Sequence, residues 1–363
     1  MIDAAAATPV RAEADRLSAH FAGAGARPFE TAVLQPAGVL LDLYGEEIRA
    51  RAYVTNDPLR GEMMLRPDFT VPLVRWHMES GADPARYAYQ GEVFRRQEYD
   101  EGRPNEFLQV GYELFGSHDA AAADAEVFAT LAAALDGLNL RCAMGDMGIL
   151  IAAVGGLNTI ESRKTALLRH IWRPRRFRAL MDRFAGRTSV PHSRACLLAA
   201  DDPFSGAGPD IGLRSRADVA ARIAILRAEA DAPPIASSEL DLIDDLLGLR
   251  DTSDAALTHL RDLAVDMPAI GTAVDGLARR LDALDAAGIA PATLPFEAAH
   301  GRSTMEYYDG FVFSFHADTR PDLPPVATGG RYDALTRVLG QGRATPAVGG
   351  VIRPGLTLEI ARC

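Results

Sequence analysis

The chain has 363 residues, a formal net charge of −11 and hydrophobic residues at 48% of its positions, which is typical of a globular protein with two domains or one domain carrying an insertion. The acidic balance disfavours a general nucleic-acid binder, and the lack of an uncharged apolar run of about 18 residues predicts no membrane span. The N-terminal residues show no basic start followed by an apolar core, so we predict no secretory signal and a cytoplasmic location.

The first predicted elements are a helix over residues 8–24 and a strand that begins near residue 29. Thr8 is the expected N-cap of the helix, with Pro9 at its first position. The strand is predicted to end at Pro36 and to be followed by a helical segment up to about residue 45.

Residues 61–80 and the hairpin that follows them contain the most informative patterns. The sequence predicts a strand, a turn at residues 66–68 and a helix that begins near Thr70. Tyr89 to Gly116 then read "YQGEVFRRQEYDEGRPNEFLQVGYELFG", with two apolar, aromatic-containing runs on either side of a charged loop. This pattern is typical of a β-hairpin.

The rest of the chain changes character twice. We predict a helix over 117–139 with Ser117 as its cap, and a short strand over 140–146. Helical periodicity dominates residues 155–290, and strand-like sequence resumes at 304–318. We interpret this order as an α+β domain interrupted by an all-helical insertion.

Several residue types exclude particular kinds of site. The three cysteines (Cys142, Cys196 and Cys363) lie far apart and form no CxxC or His/Cys pattern, which argues against a disulfide scaffold and a zinc site. Lys164 is the only lysine, and no GKS or GKT phosphate loop is present. The arginine-rich residues 169–184 are interpreted as a solvated helical face. We predict no metal and no cofactor.

Three separated segments contain groups that together suit a zwitterionic amino acid. Such a ligand needs carboxylates for its ammonium group, a guanidinium for its carboxylate and polar atoms for its side chain. Gln109 and Glu113, four residues apart on an extended arm, share one face, and Arg95 on the facing arm can point into the same pocket. Asp68 and Thr70 would share a face if extended. The candidate binding residues are Asp68, Thr70, Arg95, Gln109, Glu113, Tyr307, Tyr308 and Tyr332.

The same segments resemble the catalytic core of class II aminoacyl-tRNA synthetases, most closely the histidyl-tRNA synthetase branch. "LRPDFT" is similar to the RPE-x-T segment of that branch, the hairpin to its motif 2, "EYYDGFVF" to its histidine-binding segment and "TGGRYDAL" to its GGRYD-x-L. Pro36 takes the place of the motif 1 proline. The resemblance implies an antiparallel sheet flanked by helices, a homodimer formed through motif 1 and a histidine pocket built from the candidate residues. Asp68 is a shortened form of the usual glutamate.

Four departures from the synthetase pattern lie where ATP and tRNA would bind. Ser303 stands at the position of the family's catalytic arginine, and Arg302, one residue away, is expected to face elsewhere. Gln97 replaces the motif 2 glutamate. Leu356 replaces the motif 3 arginine, and Arg353 is expected to point away from the site because it precedes Pro354. The chain also ends at Cys363, without the anticodon-binding domain that the resemblance would lead us to expect.

This combination is similar to the family of ATP phosphoribosyltransferase regulatory subunits, which act in the first step of histidine biosynthesis. The resemblance implies a non-catalytic chain that assembles with a short catalytic subunit, four copies of each, and senses L-histidine. We predict a first core part over 1–154, the insertion over 155–292 and a second core part over 293–363. The alternatives are a free-standing synthetase-like enzyme that adenylates an amino acid, and an assembly scaffold with a vestigial pocket.

Overall fold

The computed structural model describes residues 4–38, 51–97, 104–209, 211–302 and 307–362. The helices are, in chain order, Ala4–Gly23 (α1), Thr70–Ser80 (α2), Ala120–Ala134 (α3), Met147–Gly156 (α4), Glu161–Arg169 (α5), Pro174–Phe184 (α6), His192–Ala199 (α7), Arg216–Asp231 (α8), Ser237–Gly248 (α9), Ser253–Asp266 (α10), Gly271–Ala286 (α11), Asp333–Leu339 (α12) and Pro354–Ala361 (α13). The strands are Arg27–Pro28 (β1), Leu34–Pro36 (β2), Val54–Asp57 (β3), Gly61–Leu65 (β4), Ala85–Phe94 (β5), Glu106–Phe115 (β6), Leu140–Asp146 (β7), Arg250–Thr252 (β8), Pro295–Glu297 (β9), Phe311–Ala317 (β10), Ala327–Arg331 (β11) and Ala347–Ile352 (β12).

Within these residues, nine strands form one large sheet in the order β1-β5-β6-β12-β11-β10-β7-β9-β8. Its neighbours pair antiparallel except β1 with β5 and β7 with β9, which are parallel. The strands β2, β4 and β3 form a separate small antiparallel sheet. Helices pack on the large sheet, and the predicted α+β class with an antiparallel sheet flanked by helices is confirmed.

The hairpin of β5 and β6 lies where the sequence predicts it and fixes the register of the site. Tyr87 pairs with Glu113 and Gly91 with Gln109. Because side chains alternate along a strand, Gln109 and Glu113 lie on the same face of β6. The predicted strand over β4 and the helix beginning at Thr70 are also confirmed.

Two predicted helix starts are wrong. Helix α1 extends back to Ala4, so Pro9 lies inside it and Thr8 is not its cap; the preceding alanines are the strongest helix formers and add a turn in front of the proline. Helix α3 is capped by Asp119, whose side chain accepts a hydrogen bond from the Ala122 amide at 3.0 Å, and not by Ser117.

Strand boundaries differ from prediction in two further places. Strand β10 begins at Phe311, and the described residues 307–310 before it are not part of the strand, since the Asp309 carboxylate accepts hydrogen bonds from the amides of Asp333 and Ala334 at the start of α12. Residues 304–306 of the predicted strand lie outside the described residues. Strand β8 lies inside the region predicted to be all-helical and pairs with β9. Three residues are too few for an alternating pattern to be visible in the sequence. The predicted helical segment after Pro36 falls mostly on residues 39–45, outside the described residues.

Helix α11 connects the region 155–292 to the core through buried charges. Arg280 donates to Asp124 of α3 and to Asp146 at the start of α4, each at 2.7 Å. Arg331 of β11 also binds Asp124 at 2.7 Å. The division at residues 154 and 292 stays a prediction. Among the described residues, no helix combines the length and the apolarity needed to cross a bilayer.

Candidate functional site

All eight candidate residues line one cavity of about 220 Å³. Typical sites for drug-sized ligands occupy about 300–1,000 Å³, so this cavity suits a smaller molecule. Eight further lining residues were not predicted from the sequence: Tyr89, Pro324, Pro325, Thr328, Gly349, Gly350, Val351 and Arg353. The site therefore combines the turn before α2, the hairpin, the segment before β10, and the strands β11 and β12.

Glu113 lies at the centre of the cavity wall and is almost completely buried, with 1% of its surface exposed. Its carboxylate accepts hydrogen bonds from three hydroxyl groups: those of Thr70 at 3.0 Å, Tyr89 at 3.1 Å and Tyr332 at 2.6 Å. These donors fix the orientation of the carboxylate without neutralising its charge. Tyr89 supplies one of these hydroxyl groups. The predicted hairpin could have identified it as a site residue, because it pairs with Gly111, which lies between Gln109 and Glu113 on β6.

The position of this carboxylate depends on a glycine in the neighbouring strand. Gly349 pairs with Glu113 across β12 and β6. A β-carbon at Gly349 would lie 1.4 Å from Oε2 of Glu113, so any other residue there would displace the carboxylate. Gly349 thus leaves the space that the Glu113 carboxylate occupies.

Asp68 is the second buried carboxylate of the cavity, with 6% of its surface exposed. Its Oδ1 accepts a hydrogen bond from the Val71 amide at 3.2 Å, so it forms a turn at the start of α2. The sequence predicts that Asp68 and Thr70 share a face if the segment is extended. Both line the cavity, but the turn and the first residue of α2 bring them there.

Burial changes the proton affinity of both acids. It raises the pKa of Glu113 to about 7, although the three hydroxyl donors act in the opposite direction. Burial also raises the pKa of Asp68, an effect that the nearby Arg95 guanidinium reduces. Among the described residues, no basic side chain forms an ion pair with either carboxylate. The cavity therefore favours a cation that can approach both acids.

Arg95 and Arg353 supply positive charge to the cavity wall. The Nε of Arg95 donates to the Pro67 carbonyl at 2.9 Å, and its guanidinium lies 5.6 Å from the centre of the Phe107 ring. The expectation that Arg353 points away is wrong, since Arg353 lines the cavity and donates to the Pro325 carbonyl.

The backbone around Arg353 explains this difference. Arg353 has the extended conformation φ −105°, ψ 98°, so it continues the path of β12 before α13 begins. Residues two apart on a strand share a face. Arg353 therefore projects to the same side as Val351, which also lines the cavity.

Gln109 is a buried amide of the cavity wall. Its side chain is 1% exposed, and its Nε2 has no hydrogen-bond acceptor among the residues that the structure describes. An unsatisfied buried donor costs about 1–3 kcal/mol, and sites of this kind are often binding sites. The amide is positioned to donate to an oxygen of a bound ligand.

Tyr307, Tyr308 and Tyr332 form the aromatic part of the wall. The rings of Tyr307 and Tyr308 pack edge to face with centroids 5.0 Å apart, and Tyr307 packs against Tyr332 at 5.9 Å. Tyr308 is buried, and its pKa is raised by burial and by the charge of Glu113. These rings exclude water from one side of the carboxylates.

Two residues at the departures from the synthetase pattern, Arg302 and Leu356, do not line the cavity. Arg302 is buried, donates to the Ile171 carbonyl at 2.8 Å and lies over the Phe177 ring, so it faces the helical region as expected. Leu356 packs against the hydrophobic core. Ser303 lies outside the described residues.

Comparison with known proteins assigns the family. A family model described as histidyl-tRNA synthetase matches residues 3–201 and 214–354. The chain is 32% identical to the ATP phosphoribosyltransferase regulatory subunit of Mesorhizobium japonicum over 91% of this chain and 92% of the relative. It is also 32% identical to that of Brucella anthropi, over 88% and 89%.

Solved structures have the same fold. A Bacillus halodurans protein described as an ATP phosphoribosyltransferase regulatory subunit/histidyl-tRNA synthetase aligns with TM-score 0.69 and 24% identity, over 97% of this chain and 79% of that one. The histidyl-tRNA synthetase of Nostoc sp. aligns with TM-score 0.65 and 18% identity, over 97% and 72%. The chain therefore belongs to the histidyl-tRNA synthetase family and, within it, to the ATP phosphoribosyltransferase regulatory subunits.

Proposed function

We propose that the protein binds L-histidine in the cavity around Glu113 and uses this binding to regulate an ATP phosphoribosyltransferase. In this proposal the chain forms a homodimer and assembles in the cytoplasm with the short catalytic subunit, four copies of each. Assembly activates the catalytic subunit for the first step of histidine biosynthesis, and histidine reverses the activation. The chain has no catalytic step of its own.

The observation that carries the proposal is the buried carboxylate of Glu113, which faces a small cavity and has hydroxyl partners but, within the described part of the chain, no cationic one. A buried charge is costly unless it is paired. The pKa of about 7 shows that the protein alone stabilises the ionised form poorly. A ligand that brings an ammonium or imidazolium group would supply the missing charge.

The remaining groups suit the other end of an amino acid. Arg95, Arg353 and the Gln109 amide offer positive charge and a donor to a ligand carboxylate. Asp68, Glu113 and Thr70 offer acceptors to an ammonium group and to a polar side-chain hydrogen. Together they match a zwitterion with a basic heteroaromatic side chain more closely than they match a nucleotide.

Histidine titration by calorimetry tests the binding site. Glu113→Ala should bind histidine at least about tenfold more weakly, because the carboxylate that balances the ligand's positive charge is removed. Glu106→Ala is the matched control, since Glu106 is exposed on the same strand, and it should bind as the wild type does. Equal affinity of Glu113→Ala and wild type would refute the assignment.

Amino-acid adenylation is the second candidate, and Arg353 is the observation that favours it. The sequence predicts that this guanidinium points away from the site, but it lines the cavity. The site therefore has more positive charge than the sequence predicts. Adenylation needs cations that stabilise the charge developing on the α-phosphate. Histidine-dependent exchange of pyrophosphate into ATP by the isolated chain would support the enzyme and contradict the regulatory proposal.

A further inference from the structure

The segment 161–228 has the opposite charge to the rest of the protein. It contains fourteen basic and six acidic side chains, a net charge of +8, so the remaining residues carry −19. Arg175 and Arg176 on α6, Arg187 after it, and Arg214 and Arg222 at α8 are all exposed. A basic region of this size on an acidic protein attracts an acidic partner and orients it on approach.

The same segment exposes apolar surface. Among the described residues twelve large apolar side chains are exposed, and half of them lie in the short stretch between residues 190 and 225. They are Val190, Leu197, Ile211, Leu213, Val219 and Ile225. Single exposed apolar residues are common in soluble proteins, but a concentration of them marks an interaction surface.

Of these six side chains, Leu197 lies on α7 and Val219 and Ile225 lie on α8, and both helices bury very little. Helix α7 has no buried residue, and the 16 residues of α8 include only Ile223 and Glu229 as buried ones. Helices α10 and α11 each bury four or five. Since helices in proteins are stabilised mainly by burying an apolar face, α7 and α8 lack the usual source of stability on their outer side.

Hydrogen bonds nevertheless hold α6, α7 and α8 together. Arg227 of α8 donates to the Leu198 carbonyl at 3.0 Å and to the Ala200 carbonyl at 2.6 Å, which joins α8 to α7. Arg183 of α6 pairs with the buried Glu229 of α8 at 3.3 Å. The outer side of these helices is therefore a built surface, although little of it is covered.

We propose that the catalytic subunit docks on the outer side of α6, α7 and α8 and of the connecting residues 185–191 and 211–215. The docking region of the catalytic subunit would present carboxylates around aliphatic side chains. The proposal rests on the proposed function. Protein interfaces combine an apolar centre with a polar rim in which arginine is enriched, and the exposed aliphatic and arginine side chains of this surface fit that composition.

Two other occupants fit less well. Single-stranded nucleic acids are bound by aromatic side chains on which bases stack, and no exposed large apolar residue between 190 and 225 is aromatic. A second copy of this chain would place the basic surface against an acidic region elsewhere on the molecule. Such a head-to-tail contact between different surfaces forms a ring only when the rotation between copies closes, and otherwise leads to open chains of molecules.

The test is assembly with the catalytic subunit of the same organism, measured by sedimentation as a function of concentration. Arg175→Glu with Arg176→Glu removes four units of charge, and Ile211→Asp with Leu213→Asp removes apolar surface. The matched controls are Arg261→Glu with Arg279→Glu and Val265→Asp, which change exposed residues of α10 and α11. Both surface variants should weaken assembly by about tenfold or more, while the controls assemble as the wild type does.

Histidine calorimetry on each variant checks that the chain is folded. If the wild type assembles and both surface variants assemble equally well, the docking surface is wrong and the proposed function is unaffected. Failure of the wild type itself to assemble overturns both. If the surface variants lose binding to bulk tRNA but still bind the catalytic subunit, the surface belongs to a nucleic acid and the inference is wrong.

Discussion

Glu113 is buried among hydroxyl groups in an arrangement that suits a bound ligand better than it suits the protein alone. The folded chain holds the Glu113 proton up to a pKa of about 7, whereas the unfolded chain releases it near 4.5. Between these values the folded state binds more protons, so the free energy of unfolding falls as pH rises. Above pH 7 the ionised carboxylate is a constant penalty.

Glu113→Gln should remove this penalty. The free energy of unfolding of the wild type, relative to Glu113→Gln, is expected to fall by about 2–3 kcal/mol between pH 5 and pH 8. Urea unfolding of both proteins at the two pH values measures the difference. Saturating histidine at pH 8 should stabilise the wild type and not the variant. Parallel pH profiles for the two proteins would show that Glu113 titrates normally.

Arg353 is the residue whose role could be read least from the sequence. Its guanidinium lines the cavity, and we expect it to attract the carboxylate of the ligand. Arg353→Gln should weaken histidine binding about tenfold or more. Arg362→Gln changes an exposed arginine directly after α13 and is the matched control. If calorimetry gives the same affinity for both variants, Arg353 does not contact the ligand.

At the scale of elements, Arg280 links α11 to α3 and α4. Its guanidinium is buried against the ring of Phe311 and pairs with Asp124 and Asp146. Removing one partner of a buried ion pair leaves an uncompensated charge, which is more costly than replacing the whole pair. Asp146 also caps α4 by accepting a hydrogen bond from the Gly148 amide at 2.8 Å.

Arg280→Met should therefore lower the free energy of unfolding by about 3–5 kcal/mol. Adding Asp146→Asn should restore part of this loss, since asparagine can keep the cap without a buried charge. Arg279→Met, at the exposed neighbouring position, should be close to neutral. Thermal or urea unfolding of the four proteins decides the matter. A double variant no more stable than Arg280→Met would mean that packing, and not charge, accounts for the loss.

The sequence predicts elements well where local patterns and packing agree. The hairpin of β5 and β6 and the helix beginning at Thr70 have both the right periodicity and clear turn residues. The prediction was wrong where the end of a strand or the direction of a side chain depends on the rest of the fold. The Asp309 carboxylate binds the start of α12, and β10 begins only after this contact, at Phe311. The backbone stays extended from β12 to Arg353, so the Arg353 side chain lies in the cavity wall. The Asp309 contact leaves no local pattern in the sequence. The proline after Arg353 favours its extended backbone, but the sequence does not show which cavity the side chain then enters.

The cavity shows the same limit. Its eight predicted residues came from alternation along β6 and from family resemblance, and the structure brings them together. Gly349 could not have been identified, because its importance depends on which residue of β6 lies opposite it. Register between strands distant in the sequence is not encoded by either strand alone.

At the scale of the whole molecule, histidine is proposed to bind to one chain while the reaction takes place in another. Regulation then requires two states of the assembly that differ in their affinity for histidine and for the substrates. The coupling is reciprocal: if histidine weakens substrate binding by some factor, saturating substrate weakens histidine binding by the same factor. Typical factors are about 5–150.

Equilibrium dialysis of labelled histidine against the assembled complex, with and without saturating ATP and phosphoribosyl donor, measures this coupling. We expect weaker histidine binding when the substrates are present, because the substrates favour the active state. In a complex that carries Glu113→Ala, the affinity for substrates should no longer respond to histidine. Histidine affinity that stays constant on addition of substrates would contradict allosteric regulation through this cavity and favour a chain whose role is assembly alone, since a ligand bound equally well by both states cannot shift the balance between them.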